Sequence, residues 1–243
     1  MSKIEWTERT WNPVTGCTKV SPGCKYCYAE TMSKRLQAMH APGYKSGFEL
    51  ELQHSRLDQP LRRKKPTMYF VNSMSDLFQQ GVPYSFVDKI FDVISDAPWH
   101  TFQILTKRSG RMRDYFKNRV VPNNAWLGVS VEDKKYGVPR INDLKQIAAN
   151  TRFLSIEPLL EDLGRIDISD IHWVIVGGES GHKARPMKEE WVRNVRVQCE
   201  INGVDFFFKQ WGTWGQDGIK RSKKLNGRVF DGKIWDQIPV VAV

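Results

Sequence analysis

Six short apolar runs, rich in β-branched and aromatic residues, recur along the chain at 67–72, 100–106, 125–131, 152–156, 172–177 and 204–209. Runs of this length without strict alternation predict strands buried on both faces. Amphipathic stretches lie between them at 28–39, 85–97, 109–118, 134–149 and 188–202. In the second of these, Val87, Ile90, Phe91 and Ile94 fall on one helical stripe. Strand and helix therefore alternate. That order predicts an α/β fold with a parallel sheet and crossover helices, either an open doubly wound sheet or a partial or full parallel β/α barrel.

In such folds functional residues collect at the C-terminal ends of the strands. Here the runs end in polar or glycine-rich tails. They are Asn72, Ser73, Met74, Ser75 and Asp76; Lys107 and Arg108; Ser130, Glu132 and Asp133; Glu157 and Pro158; Gly177, Gly178, Glu179 and Ser180; and Lys209, Gln210 and Trp211. So many polar strand ends are more than turns need, and they predict a binding mouth. The plainer alternative for any single carboxylate is an ion pair with a neighbouring arginine.

With 243 residues, 40% of them hydrophobic, the chain suits one domain over 1–243. No repeat or linker interrupts it. The stretch 41–66 is the longest predicted excursion, and 212–243 is a basic, aromatic, glycine-rich extension without a predicted fold. No apolar stretch reaches the ~20 residues of a membrane span, and the N-terminus lacks the apolar centre of a signal peptide. The expectation is a cytoplasmic protein with no membrane partner.

The formal charge is +10, with bases grouped at 62–65, 107–119 and 220–224. Such a surplus favours a polyanion, DNA or RNA first, because neutralised phosphates release counterions. A solvated basic surface that aids solubility is the alternative. Trp211 and Trp214 are read in two ways, as a platform for a base or as packing of the extension.

Three of the four cysteines, Cys17, Cys24 and Cys27, lie within eleven residues on a loop containing Gly16, Pro22 and Gly23 and leading into the first helix. Clustered cysteines in a reducing compartment bind metal or do redox chemistry. Three thiolates can hold a 4Fe–4S cluster and leave one iron open, whereas structural zinc closes with a fourth Cys or His. His40 and His54 lack zinc-finger spacing, and Cys199, on a predicted helix, reads as a core thiol.

The cysteine loop, with Tyr26 just before its last cysteine, resembles that of the radical S-adenosylmethionine superfamily. Its first spacer is six residues where the commonest pattern has three. Over nearly the full length, through WNPVTGCTKVSPGCKYCYAE, SMSDLF, LTKR, GVSVE, SIEPLL and GGESG, the chain also resembles a phage-associated three-cysteine-motif family. A fainter likeness, in the cysteine loop, LTKR and the barrel order, is to the spore photoproduct lyase branch, which repairs DNA.

The superfamily resemblance implies a cluster on Cys17, Cys24 and Cys27, bound S-adenosylmethionine, and an electron donor such as flavodoxin or ferredoxin. It places Tyr26 against the adenine, and Ser73, Ser75 and Asp76 at the methionine amino group. It further implies roles for Ser130, Glu132 and Glu157 at the ribose or methionyl end, Lys107 and Arg108 at a carboxylate or substrate phosphate, and Gly177, Gly178 and Glu179 near adenine or substrate. Three functions stay open: radical chemistry on nucleic acid, the same chemistry on a small molecule or protein, and non-catalytic nucleic-acid binding with structural zinc.

Overall fold

The chain begins with a short strand β1 (Arg9–Trp11) and a two-residue strand β2 (Val14–Thr15), then enters α1 (Tyr28–Ala38) through the cysteine loop. These and the following elements come from a computed structural model that describes residues 4–240. After β3 (Glu51–Leu52), which pairs antiparallel with β2, strand and helix alternate as the hydrophobic pattern predicts, except between β7 and β8, where irregular chain makes the crossover. The order is β4 (Met68–Val71), α2 (Tyr84–Asp96), β5 (Thr101–Thr106), α3 (Ser109–Phe116), β6 (Ala125–Ser130), α4 (Pro139–Lys145), β7 (Thr151–Ile156), β8 (Trp173–Gly177), α5 (Glu189–Asn202) and β9 (Asp205–Gln210).

The seven strands β1, β4, β5, β6, β7, β8 and β9 stand side by side in that order, all parallel. The result is a half-barrel, which decides between the two barrel forms the sequence left open. The outer face buries Val71, Ile104, Val129, Ile156 and Val176 in one core with Val87, Ile90, Met112, Leu144 and Val195 of the helices. On the inner face Trp126, Phe153, Trp173, Ile175 and Phe207 form a second cluster with Trp6 of the N-terminal segment. Gly128 is required there, since a Cβ at this position would run into the Phe153 ring. Aromatics fill the N-terminal half of this concave face, whereas Ser130, Ser155 and Gly177 stand at or next to the C-terminal ends of β6, β7 and β8. The packed floor leaves chemistry to the C-terminal mouth.

Two expectations change. The fourth predicted helix is shorter than 134–149, because Asp133 accepts from the backbone N–H of Tyr136 and Gly137 in a tight turn. Pro139, which has no N–H to leave unsatisfied, then starts the helix. The extension has a fold: α6 (Lys223–Asn226) and an antiparallel hairpin of β10 (Val229–Phe230) and β11 (Lys233–Ile234). Beyond the hairpin, Phe207 bridges antiparallel to Asp236, and the Phe208 N–H donates to the Trp235 carbonyl. The open edge of β9 is thereby covered, which blunts a template for intermolecular pairing. No helix among the described residues is long and apolar enough to cross a membrane.

Candidate functional site

Every predicted tail lies at the C-terminal end of a parallel strand, so the topology brings them to one mouth. The cysteine loop leaves from the same end of β1. Gly16, at φ +77°, donates its N–H to the Met74 carbonyl, and a Cβ there would meet the Glu49 carbonyl. Only glycine suits that close approach. The loop continues through a 3-10 turn, Pro22–Cys24, and Cys27 is the N-cap of α1, whose partial positive charge favours anionic sulfur.

All three thiols are free and partly exposed. Burial pushes the Cys17 thiol up to about 11; Asp76 and Cys24 add to the rise and Arg108 opposes it. Among the described residues no three Cys, His, Asp or Glu side chains already surround a point as ligands of a single ion would. A cube differs from an ion in this respect, since it needs its ligand sulfurs at separate corners. Three free thiols on one loop, beside a helix N-terminus and facing a polar mouth, suit a 4Fe–4S cluster as a donor set. Cys199 is fully buried in α5 within the outer core, away from this loop.

The tail after β4 holds this loop. Ser73 donates to Asn12 Oδ1 (3.1 Å) and Ser75 to the Val14 carbonyl (2.9 Å). Asp76 accepts from Thr106 Oγ1 (2.6 Å), from the backbone N–H of Phe78 and Lys107, and from Arg108 Nη1 (2.9 Å). Its oxygens are thus engaged inside the protein. Arg108 also reaches Thr18 and, at 3.6 Å, Cys17 Sγ.

Two more acids follow the same plan. Glu132 is fully buried, receives Arg140 Nη1 at 2.6 Å and accepts from the Ser21 hydroxyl. Burial pushes its carboxyl up, but Lys107, Arg140 and Ser21 together outweigh that and hold it below the usual carboxylate range. Gly23 rests on it, for a Cβ there would stand 3.0 Å from Glu132. Glu179 takes two side-chain bonds from Arg185, at 2.6 and 2.8 Å, and a third from the Arg185 N–H. Arg185 in turn donates to the Pro22 carbonyl and lies 5.4 Å from the centre of the Tyr26 ring.

Elsewhere in the mouth, Lys107 Nζ donates to Ser130 Oγ (3.0 Å), and Lys209 binds both oxygens of Glu157 (2.8 and 2.9 Å). A Cβ on Gly177 would crowd Glu157, and one on Gly178 would meet the Trp211 carbonyl. The sequence did not single out Arg140 or Arg185; nothing local marks Arg140, while Arg185 follows the GGES turn closely enough to have been weighed with it. Trp211 is 2% exposed and packs on Phe208 and Phe230, and Trp214 donates to the Ala184 carbonyl. Of the two readings of these tryptophans, packing of the extension is the one the structure shows for Trp211.

Several bases of the run 107–119 have partners within the chain. Arg111 binds the carbonyls of Gln79 and Val82, Arg113 pairs with Asp143, Lys117 with Asp114 and Arg119 with Asp88.

Residues 1–239 match the family described as protein of unknown function (DUF5131). The chain belongs to that family. No curated protein matches this DUF5131 member. Solved structures similar to it are spore photoproduct lyases. One variant superposes with a TM-score of 0.52 at 12% identity, over 82% of this chain and 75% of that one. A second gives 0.50 at 15%, over 73% and 57%. The lyase complexed with dinucleoside spore photoproduct gives 0.47 at 13%, over 79% and 61%. The chain spans roughly three-fifths of the latter two lyases. At this identity the likeness shows the fold alone, a parallel half-barrel shared with spore photoproduct lyase.

Proposed function

We propose that this DUF5131 protein is a radical S-adenosylmethionine enzyme acting on nucleic acid, with a 4Fe–4S cluster on Cys17, Cys24 and Cys27. The observation that carries this reading is the position of the three free thiols, on one loop at the C-terminal mouth of a half-barrel with the lyase fold. When bound, the cluster and S-adenosylmethionine supply reductive cleavage of the sulfonium to a 5′-deoxyadenosyl radical. The chain's own residues bind, orient and shield. Tyr26 offers a ring face to adenine; Lys107 with Ser130, and Glu157 with Lys209, offer a cation, a hydroxyl and a carboxylate to the polar ends of the ligand. Gly177 and Gly178 keep that wall thin. Ser73, Ser75, Asp76, Glu132 and Glu179 serve through the loop and its neighbours, to which their atoms are already committed.

A nucleic-acid substrate is supported by the net charge of +10 and by the name of the structural neighbours, lyases of spore photoproduct. An electron donor of the flavodoxin or ferredoxin kind completes the reading, as does the likeness to the phage-associated three-cysteine-motif family. The test is anaerobic reconstitution with iron and sulfide, followed by S-adenosylmethionine and dithionite. The expected outcome is a brown protein that bleaches on reduction and forms 5′-deoxyadenosine, with both properties lost in Cys24→Ala. A colourless wild type that binds one zinc ion would sink the proposal.

A further inference from the structure

No residue from Cys17 to Tyr28 is buried, although the segment joins a buried strand to a packed helix. Its apolar anchoring is slight, Cys27 alone packing against the small cluster of Ala29, Tyr44 and Met74, so ordering these twelve residues brings little hydrophobic return. Its internal backbone bonds are also few, being the 3-10 turn that Cys24 and Lys25 make back to Ser21 and Pro22. Besides the Cys17 N–H bond to the Phe48 carbonyl and the Lys19–Glu30 pair, the loop is held by polar side chains after the strands: Gln79 Oε1 accepts from the Thr18 N–H, Glu132 from the Ser21 hydroxyl, and two more are arginines on different strand tails. Arg108, after β5, spans Asp76 on one side and Thr18 Oγ1, the Thr18 carbonyl and Cys17 Sγ on the other. Arg185, beyond β8, spans Glu179 on one side and the Pro22 carbonyl and Tyr26 ring on the other.

Both guanidiniums are oriented from behind by a carboxylate with little exposure, 9% for the Asp76 side chain and 6% for that of Glu179. Such a back-up matters because a planar fork held at one end presents its remaining N–H groups in a fixed direction. The contacts divide the loop between them. One arginine holds its start at Cys17 and Thr18, and the other its far side at Pro22 and Tyr26, next to Cys24 and Cys27.

We propose that Arg108 and Arg185 are positioning residues, a pair of straps that fix the cysteine loop in its ligand-presenting shape before any iron arrives. Their service to a cluster rests on the radical-enzyme reading; their hold on the loop does not. Charge alone is insufficient, because each arginine works through two nitrogens of its fork: Arg108 gives Nη1 to Asp76 and Cys17 Sγ and Nη2 to Thr18, while Arg185 gives Nε and Nη2 to Glu179 and Nη2 also to the Pro22 carbonyl. Lysine, with one ammonium, cannot span both.

The experiment is hydrogen exchange on the protein without iron, for wild type, Arg108→Gln, Arg108→Lys, Arg185→Gln and a control, Arg113→Gln, whose pairs with Asp143 and Asp114 lie off the loop. Amides of 17–27 are expected to exchange about ten-fold faster or more in the three strap variants, the scale of one charge-assisted hydrogen bond. The core strands and the control stay at wild-type rates. Iron bound per chain after anaerobic reconstitution is expected to fall in the same variants. Unchanged loop exchange in both glutamine variants would overturn the proposal, as would full rescue by Arg108→Lys or an acceleration spread evenly over the sheet. Should Arg108→Gln fail to fold, Arg185→Gln and Thr18→Val, which removes one strap contact from the loop side, decide it. A wild type that takes up no iron would end the radical reading and leave the exchange result to judge the straps.

Discussion

At the scale of single residues, the mouth is built on carboxylates that face inward to arginines. Glu132 is the most enclosed, and its partner Arg140 is nearly as buried. Removing one member of a buried pair leaves a charge without a counter-charge, at a cost of about 3–5 kcal/mol. Glu132→Gln keeps the shape and loses the charge, so it should lower the unfolding free energy by an amount in that range. The pH dependence has a definite sign. Lys107, Arg140 and Ser21 outweigh burial and hold the Glu132 carboxyl below its ordinary range, so the native state favours the ionised form more than the unfolded chain does. Its contribution is fully present above the ordinary carboxylate pKa of about 4.3 and is lost as pH falls through the lower folded value. Urea titrations of wild type and variant should differ by a constant amount down to about pH 5 and converge in more acid buffer. A gap that widens on acidification would contradict this account.

At the scale of elements, the six strands of the apolar runs appear within a residue or so of where periodicity puts them, because buried parallel strands carry the strongest pattern a short segment can have. The edge strand β1 has only three residues and a polar approach, so no run announces it. The hairpin of β10 and β11 was equally hidden. Its stability comes from what it covers, with Phe230 fully buried against Phe208 and Trp211. Phe230→Ala should cost about 3–5 kcal/mol, like other buried aromatic truncations. It should also speed exchange at the amide of Phe208, which the Trp235 carbonyl holds. Loss of stability without any change at that amide would mean that the hairpin is not what closes the edge of β9. The same contrast applies in the site. The cysteine spacing is local and could be read from the chain, whereas the pairings of Glu132 with Arg140 and Glu179 with Arg185 depend on which side chains the turns bring round.

At the scale of the whole molecule, a charge of +10 does not say where a polyanion would lie. In the run at 107–119, Arg111 is tied to backbone carbonyls and Arg113, Lys117 and Arg119 each stand beside a carboxylate, which offsets part of their charge. Around the mouth the balance differs. Lys25 lies exposed on the cysteine loop with only the Tyr26 ring beside it, and exposed Lys183 sits between Glu179 and Arg185, with no carboxylate partner among the described residues. Lys25→Ala and Lys183→Ala should each weaken binding to single-stranded DNA and reduce the slope of log affinity against log salt by about one, the signature of a lost phosphate contact. Lys117→Ala removes the same formal charge from an existing pair with Asp114 and should leave the slope unchanged. Equal effects of all three would show that the protein attracts DNA only through its overall field, with no track leading to the mouth.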